Sequence, residues 1–343
     1  MKKLKLGIIG LGGISLTHIE EYLKNPRVEI VAVCDADEVW LKWKAAQLNV
    51  ADYYTDYNEL LKNDKVEAAI ICLPNDLHCV AACAALEAGK DVLCEKPMAI
   101  NAEQACIMRD TAEKTGKKLM ISQNQRFGQD IQMMRSQYKE GFFGEVYFVR
   151  LAWRRPLGSM PEDLAVRENG VEYSRNWFNE KDRGGGVLRD LGSHLLDLTM
   201  YIMDFPKFVS ADASCFRKFF PANYDGSYTC DSEDLATAHL KFENGLTVQL
   251  EVSFGSMVEN EVLLTEMYGT KGGASRRDKL KFIKNINGAG TVDTVTRYDN
   301  KYKSVQTRFV DAVLDNTEVP VPADQGVAVI EILDAIYESA ENK

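Results

Sequence analysis

The stretch Leu4-Lys5-Leu6-Gly7-Ile8-Ile9-Gly10-Leu11-Gly12-Gly13-Ile14-Ser15 decides the fold of this chain. It alternates and then runs apolar up to Ile9, breaks at once into glycines, and passes into a helical pattern from Thr17 to Lys24. Strand, glycine turn and helix in that order make a phosphate-binding βα unit. In the GxGxx(small) turn, Gly10 permits a tight bend and Gly12 lets backbone approach a pyrophosphate. Gly13 and Ile14 complete the cofactor-binding turn, and the N-terminus of the helix that follows offers the positive end of its dipole to the anion. Ser15 replaces the usual third glycine, and it is small enough for close packing of helix on strand. Taken alone, such a turn also occurs in ordinary loops.

Further along, a strand over Glu29 to Cys34 ends in Asp35, 25 residues past Gly10. An acid there would hold the adenosine ribose hydroxyls. Ala36 and Asp37 follow in place of arginine or lysine, so a 2′-phosphate would meet like charge, and NAD is favoured over NADP. The competing reading of Asp35 is a turn or N-cap residue. The alternation continues with helices near Glu38 to Leu48 and Tyr57 to Lys62, a strand at Ala68 to Leu73, and a helix from Asp76 to Ala88. A strand at Asp91 to Cys94, a helix over Ala102 to Thr115 and a strand at Lys118 to Ser122 follow. Repeated βα units predict a doubly wound parallel sheet of the Rossmann kind, with ligands at the carboxyl ends of its strands. Two such ends carry chemistry: Leu73-Pro74-Asn75-Asp76-Leu77-His78 and Cys94-Glu95-Lys96-Pro97. Lys96, fixed ahead of a proline, is suited to hold a substrate oxygen and its developing charge, although a lysine after a strand is more often solvated.

The 343 residues, 45% of them hydrophobic, exceed what one core usually organises, so two domains are expected: 1–122 for dinucleotide binding and 123–343 for substrate and self-association. With a net charge of −10 and no basic block interleaved with aromatics, neither nucleic acid nor an anionic membrane is an expected partner. No stretch has the length and apolarity of a membrane span or a secretory leader, and the eight cysteines form no CxxC pair. These features read as a cytoplasmic protein with reduced thiols. The four histidines make no HExxH or Cys/His cluster, so no metal is expected.

A second informative stretch is Gly184-Gly185-Gly186-Val187-Leu188-Arg189-Asp190-Leu191-Gly192-Ser193-His194-Leu195-Leu196-Asp197. If the chain is helical from Leu191 onward, Asp190, His194 and Asp197 share one face. Leu191, Leu195, Leu198 and Ile202 form an offset apolar stripe for the core. A histidine one turn from a carboxylate is suited to accept a proton near neutral pH. A histidine merely hydrogen-bonded within a packed helix, after glycines that only make a turn, is the alternative reading.

These residues together resemble the glucose-fructose oxidoreductase, inositol dehydrogenase and rhizopine catabolism (Gfo/Idh/MocA) family of NAD(P)-dependent sugar and cyclitol dehydrogenases. The resemblance spans most of the chain and rests on the glycine turn, on Pro74 to His78, on Gly89 to Pro97 with its Glu-Lys-Pro, and on GGGxLxDxGxHxxD from Gly184. It implies that Lys96, Asp190 and His194 form the catalytic group. It also implies that Pro74, Asn75, His78 and Glu95 lie along the nicotinamide side, and that Arg126 stands near substrate and nicotinamide. Trp153, Arg154 and Arg155, in the segment Trp153 to Pro161, match the substrate-side loop of sugar-acting members, although arginines there could equally form surface ion pairs. Leu73 stands where the family often has serine or threonine. The segment from about Glu162 to Ser174 reads as a polar insertion at the substrate entrance.

After Ser122 the rhythm changes to a helix near Asp130 to Lys139 and strands at Glu145–Trp153, Val209–Phe216, Asp234–Phe242, Thr247–Phe254 and Val262–Tyr268. A turn such as Glu243-Asn244-Gly245 predicts antiparallel pairing, hence an α+β domain on a large, mostly antiparallel open sheet. A helix over Val327 to Ala340 closes the chain. By resemblance the open sheet face implies a homodimer or homotetramer. The expected reaction is oxidation of a secondary alcohol on a sugar or cyclitol, its proton going to His194 and its hydride to NAD. Two other readings remain: transient oxidation with tightly held NAD followed by elimination from a glycoside, and a non-catalytic NAD-binding regulator.

Overall fold

A computed structural model of the chain describes residues 2–157, 159, 164–170, 172–219, 224–298 and 303–342. The chain divides into two compact units. The first comprises Met1–Asn124, Leu164–Ser174 and Lys303–Ile330, and the second Gln125–Asp163, Arg175–Tyr302 and Glu331–Lys343. A single cut after residue 122 would give 164–174 and 303–330 to the second unit; compactness groups both with the first.

The first unit runs β1 (Leu4–Ile9), α1 (Gly13–Lys24), β2 (Val28–Cys34), α2 (Glu38–Leu48), β3 (Asp52–Tyr54), α3 (Tyr57–Leu61), β4 (Ala68–Ile71), α4 (His78–Glu87), β5 (Asp91–Cys94), α5 (Ala102–Thr115) and β6 (Leu119–Ile121). All six strands pair in parallel in the order β3-β2-β1-β4-β5-β6. Every residue of β4 is buried, as expected of a sheet covered on both faces. The order reverses between β1 and β4, and the crevice at their carboxyl ends is where such a sheet takes a ligand.

The second unit contributes α6 (Gln129–Lys139) and β7 (Val146–Pro156) before the chain returns to the first as a hairpin, β8 (Leu164–Val166) and β9 (Glu172–Ser174). Next come α7 (Ser193–Ile202), β10 (Phe208–Phe216), β11 (Leu235–Phe242), β12 (Thr247–Ser256), β13 (Val262–Gly269), β14 (Gly272–Arg276), β15 (Leu280–Ile286) and β16 (Ala289–Thr294). The eight strands lie in the order β10-β11-β12-β7-β13-β14-β15-β16, antiparallel except for β12 beside β7. β11 alternates buried and less buried residues from Leu235 to Phe242, the mark of a sheet covered on one face. The chain ends with α8 (Val305–Leu314) and α9 (Ala323–Glu341). The Rossmann sheet and the mostly antiparallel second sheet are both as the sequence predicts. The strands β3, β8, β9, β14, β15 and β16 and the helix α8 are not among its expectations.

No helix of the described residues is long and apolar enough to cross a membrane. All eight cysteines are free thiols.

Candidate active site

The glycine turn joins β1 to α1 at the reversal point of the first sheet. Gly10 has φ +88°, and a Cβ there would run into the Cys72 carbonyl oxygen just past β4. Only glycine serves at such a left-handed, closely approached position. A Cβ on Gly12, by contrast, would meet nothing within 4 Å, so its backbone borders open space of the kind a diphosphate fills. Gly13 begins α1, Ile14 is exposed, and Ser15 is buried with its hydroxyl donating to the Gly12 carbonyl at 2.6 Å. Serine therefore keeps the close packing a third glycine would give. Asp35, at the end of β2, is turned back on this loop: its carboxylate accepts from the amides of Leu11 at 2.8 Å and Asp37 at 3.0 Å. A left-handed turn, an open backbone cradle and an acid beside it fit the dinucleotide the sequence predicts.

The other two strand ends are tied together from behind. Pro74 and the buried Asn75 begin a 3-10 turn after β4, and His78 opens α4. The His78 ring is fully buried and spans 2.8 Å to the Pro97 carbonyl and 2.9 Å to the Leu73 carbonyl. Burial holds its pKa below the ordinary value, against the pull of those two carbonyls. Its interior position lets it brace the two strand ends along which the sequence reading sets the nicotinamide side. Glu95 is also buried; it accepts from His18 of α1 at 2.7 Å and from the Lys96 amide at 3.2 Å, while Gln306 of α8 lies 3.3 Å from the other His18 nitrogen. Burial alone would push the Glu95 carboxyl up, yet His18, Ser122 and Lys96 together bring it down to about 2. Glu95 is thus a charged interior post beneath Lys96, which is half-buried and joined to Pro97 by a cis peptide. His18 and Gln306 carry no local sequence signal; each is one of several polar residues on its helix, and only the fold buries it.

In the second unit the glycine run is packed rather than slack. Gly186 has φ +106°, and a Cβ on it would collide with the carboxylate of buried Glu233. That carboxylate accepts from the Leu188 amide and the Tyr337 hydroxyl, each at 2.9 Å, and burial raises its pKa. It anchors the start of a π-helical turn over Leu188–Gly192, which leads directly into α7. The predicted helix is therefore present, but its first turn is wide, as π turns at functional sites often are. Asp190 sits on that turn and His194 in the first turn of α7, both half-buried.

Asp197 does not join them at a surface. It is 2% exposed, and its carboxylate takes two bonds from the wholly buried Arg126, Nε at 2.6 Å and Nη2 at 2.5 Å. Burial raises the Asp197 pKa against the opposing pull of Arg126. Arg126 also stacks over the rings of Tyr201 and Phe205. The guanidinium, which the sequence reading sets near substrate and nicotinamide, is interior and holds α7 through Asp197.

The indole of Trp153 lies beside the His194 imidazole, ring centres 6.1 Å apart and tilted by 41°. Trp153 donates to Glu261 at 2.7 Å, and Arg155 stacks over the Trp153 ring. Arg154 points the other way, since strand neighbours alternate, and pairs with Glu251 at 3.7 Å. The structure thus brings Trp153 to His194, keeps Arg155 beside Trp153, and sends Arg154 to the opposite face. The rest of the expected substrate loop, at Gly158 and from Met160 to Pro161, lies outside the described residues. The described part of the 162–174 insertion is the β8–β9 hairpin, which belongs to the first unit. Among the described residues no group of three or more His, Cys, Asp or Glu side chains could hold a metal ion.

Comparison with known proteins agrees with these two halves. Residues 4–123 match the family described as "Oxidoreductase family, NAD-binding Rossmann fold", and residues 131–275 match the "GFO/IDH/MocA C-terminal domain". The chain is 30% identical to the D-glucoside 3-dehydrogenase of Escherichia coli (strain K12), covering 98% of this chain and 95% of that protein. It is 27% identical to the inositol 2-dehydrogenase of Rhizobium meliloti (strain 1021) over 99% of this chain and 98% of that protein. In fold it is similar to a levoglucosan dehydrogenase solved in complex with NADH, with a TM-score of 0.86, 20% identity and coverage of 99% and 98% of the two chains. With a fingerprint turn that accepts a dinucleotide and full-length likeness on both sides of it, the chain belongs to the GFO/IDH/MocA family of NAD-binding oxidoreductases.

Proposed function

We propose that this NAD-dependent oxidoreductase oxidises a secondary alcohol on a sugar, cyclitol or sugar derivative. The observation that carries the reading is the Trp153 indole beside the His194 imidazole. Sugar rings present C–H faces that pack on aromatic rings, and a histidine at the edge of such a platform can take a proton from a ring hydroxyl. The relatives named for a glucoside and an inositol act on ring alcohols of this class.

NAD, when bound, supplies the hydride acceptor. Gly10, Gly12, Gly13, Ile14 and Asp35 hold its ADP half, and Pro74, Asn75 and Lys96 serve its nicotinamide half. His194 removes the hydroxyl proton. Asp190 favours the imidazolium that forms, and Lys96 holds the reacting oxygen and stabilises its negative charge. Arg155, stacked on Trp153, contributes donors for further hydroxyls. His78, Glu95 and Arg126 act as positioning residues.

The unit built on the six-stranded sheet serves as the dinucleotide-binding domain, and the unit on the eight-stranded sheet serves substrate binding and self-association. A homodimer or homotetramer is the expected assembly, supported by apolar residues exposed on the second sheet, among them Tyr147, Tyr268, Ile286 and Val292. The eight free thiols support a cytoplasmic setting.

The test is absorbance at the reduced-nicotinamide band with NAD and a panel of sugars, cyclitols, sugar acids and glycosides. Reduction of NAD by one of them supports the dehydrogenase. Consumption of a glycoside without net NADH identifies the transient-oxidation chemistry instead, and binding of NAD without turnover of any of them a regulator.

A further inference from the structure

The β8–β9 hairpin brings an arginine to the acid that ends β2. Arg167 forms an ion pair with Asp37, and its Nη2 stands 4.0 Å from the Asp35 carboxylate. Its guanidinium is stacked between the rings of Trp40 at 5.2 Å and Tyr173 at 4.7 Å, leaving the side chain 10% exposed. A second tie, from the buried Lys44 to Glu168 at 3.0 Å, fastens the same hairpin to α2. Tyr173 reaches the glycine turn itself: its hydroxyl lies 3.6 Å from where a Cβ on Gly13 would stand. The hairpin therefore touches both the pyrophosphate end and the ribose end of the proposed ADP site.

One atom in this arrangement is unsatisfied. The Arg167 Nε is buried and has no hydrogen-bond partner among the described residues. A buried charged donor without an acceptor is costly, and native proteins rarely leave one so. An oxygen-bearing group that the site itself calls for beside Asp35 is the adenosine ribose. Asp37, whose charge weighs in the sequence against a 2′-phosphate, is already paired with Arg167, so rejection of a 2′-phosphate at that hydroxyl falls to Asp35.

We propose that Arg167, supplied from outside the Rossmann sheet, is a cofactor-binding residue that donates to the adenosine ribose of NAD. The proposal rests on the reading of Gly10 to Asp35 as the ADP site. Free ADP-ribose and nicotinamide mononucleotide are the probes, titrated calorimetrically into the full chain with no substrate and no turnover. Arg167→Ala should weaken ADP-ribose by about 10- to 100-fold, the range for losing a charged hydrogen bond, and leave nicotinamide mononucleotide unchanged. Should that variant fail to fold, Arg167→Lys keeps the charge and removes the planar donor, and the same loss is expected. An unchanged ADP-ribose affinity in the variant overturns the proposal. So does full recovery in Arg167→Ala/Asp37→Asn, because Arg167 would then act only by neutralising Asp37. Absence of ADP-ribose binding by the wild type would instead overturn the ADP site and this proposal with it.

Discussion

The rings of Trp153 on β7 and His194 on α7 stand 6.1 Å apart, so the second sheet and the helix packed on it present an aromatic face and a titratable nitrogen side by side. Replacing His194 with Ala should lower kcat by about 10²- to 10⁴-fold, the usual worth of a general base, while the Kd for NAD changes little. Stopped-flow reduction of NAD alongside calorimetric NAD titration checks this. An equal loss in both quantities removes His194 from the proposed role.

Trp153→Ala keeps the imidazole and deletes the platform. The KM for the sugar should rise by about tenfold with a smaller change in kcat, because an apolar stacking contact is made in ground and transition states alike. Steady-state kinetics at saturating NAD measures the split.

Arg126 and Asp197 form a pair with 0% and 2% side-chain exposure. Removing one partner leaves the other charge buried, so Arg126→Ala or Asp197→Ala should each cost about 3–5 kcal/mol of stability. A double replacement by Met and Leu should recover much of that loss, as measured by urea unfolding.

Glu95 gives a pH dependence with a definite sign. Its carboxyl falls from an ordinary 4.5 to about 2 in the folded chain. The folded state therefore holds the charged form more tightly than the unfolded state does. The stability this contributes is fully present above about pH 4.5 and is lost as the pH falls toward 2. The stability advantage of wild type over Glu95→Gln should stay level from neutral pH down to about 5 and then shrink. Denaturant titrations at a series of pH values follow it.

Gly186→Ala places a Cβ against the Glu233 carboxylate at φ +106°. The backbone strain alone is worth about 1–3 kcal/mol. Since Glu233 also holds the Leu188 amide, the variant should lose turnover as well as melting temperature, with Asp190 displaced on its turn.

Where strands are buried on both faces, the sequence is legible. The apolar runs of β1, β4 and β5 and the glycines after Ile9 mark the first sheet, and the alternation in β11 marks the second. The strand β16 carries the pattern Ala289-Gly-Thr-Val-Asp-Thr294 and is almost wholly exposed, so burial imprints no period on it. The helix α8 did carry a signal: Ser304 caps it, and Val305, Phe309, Val310 and Ala312 are its buried stripe. Of the candidate site, the types and spacing of Asp190 and His194 were readable because both lie on one local segment. The partners that hold them were not. Glu233 and Tyr337 meet the Gly186 turn from 47 and 151 residues away in sequence, and nothing near either residue records that meeting.

The segment 303–330 completes the first unit. It supplies Gln306 to His18, Asp311 and Asp315 to Arg27, and the Val321 carbonyl to the Ile121 amide at the edge of β6. A ribosome makes the six strands of this sheet between Leu4 and Ile121, yet their final partners emerge some 180 residues later. The nucleotide-binding half is thus begun early in this stretch of chain and cannot be finished until the 303–330 segment has left the exit tunnel.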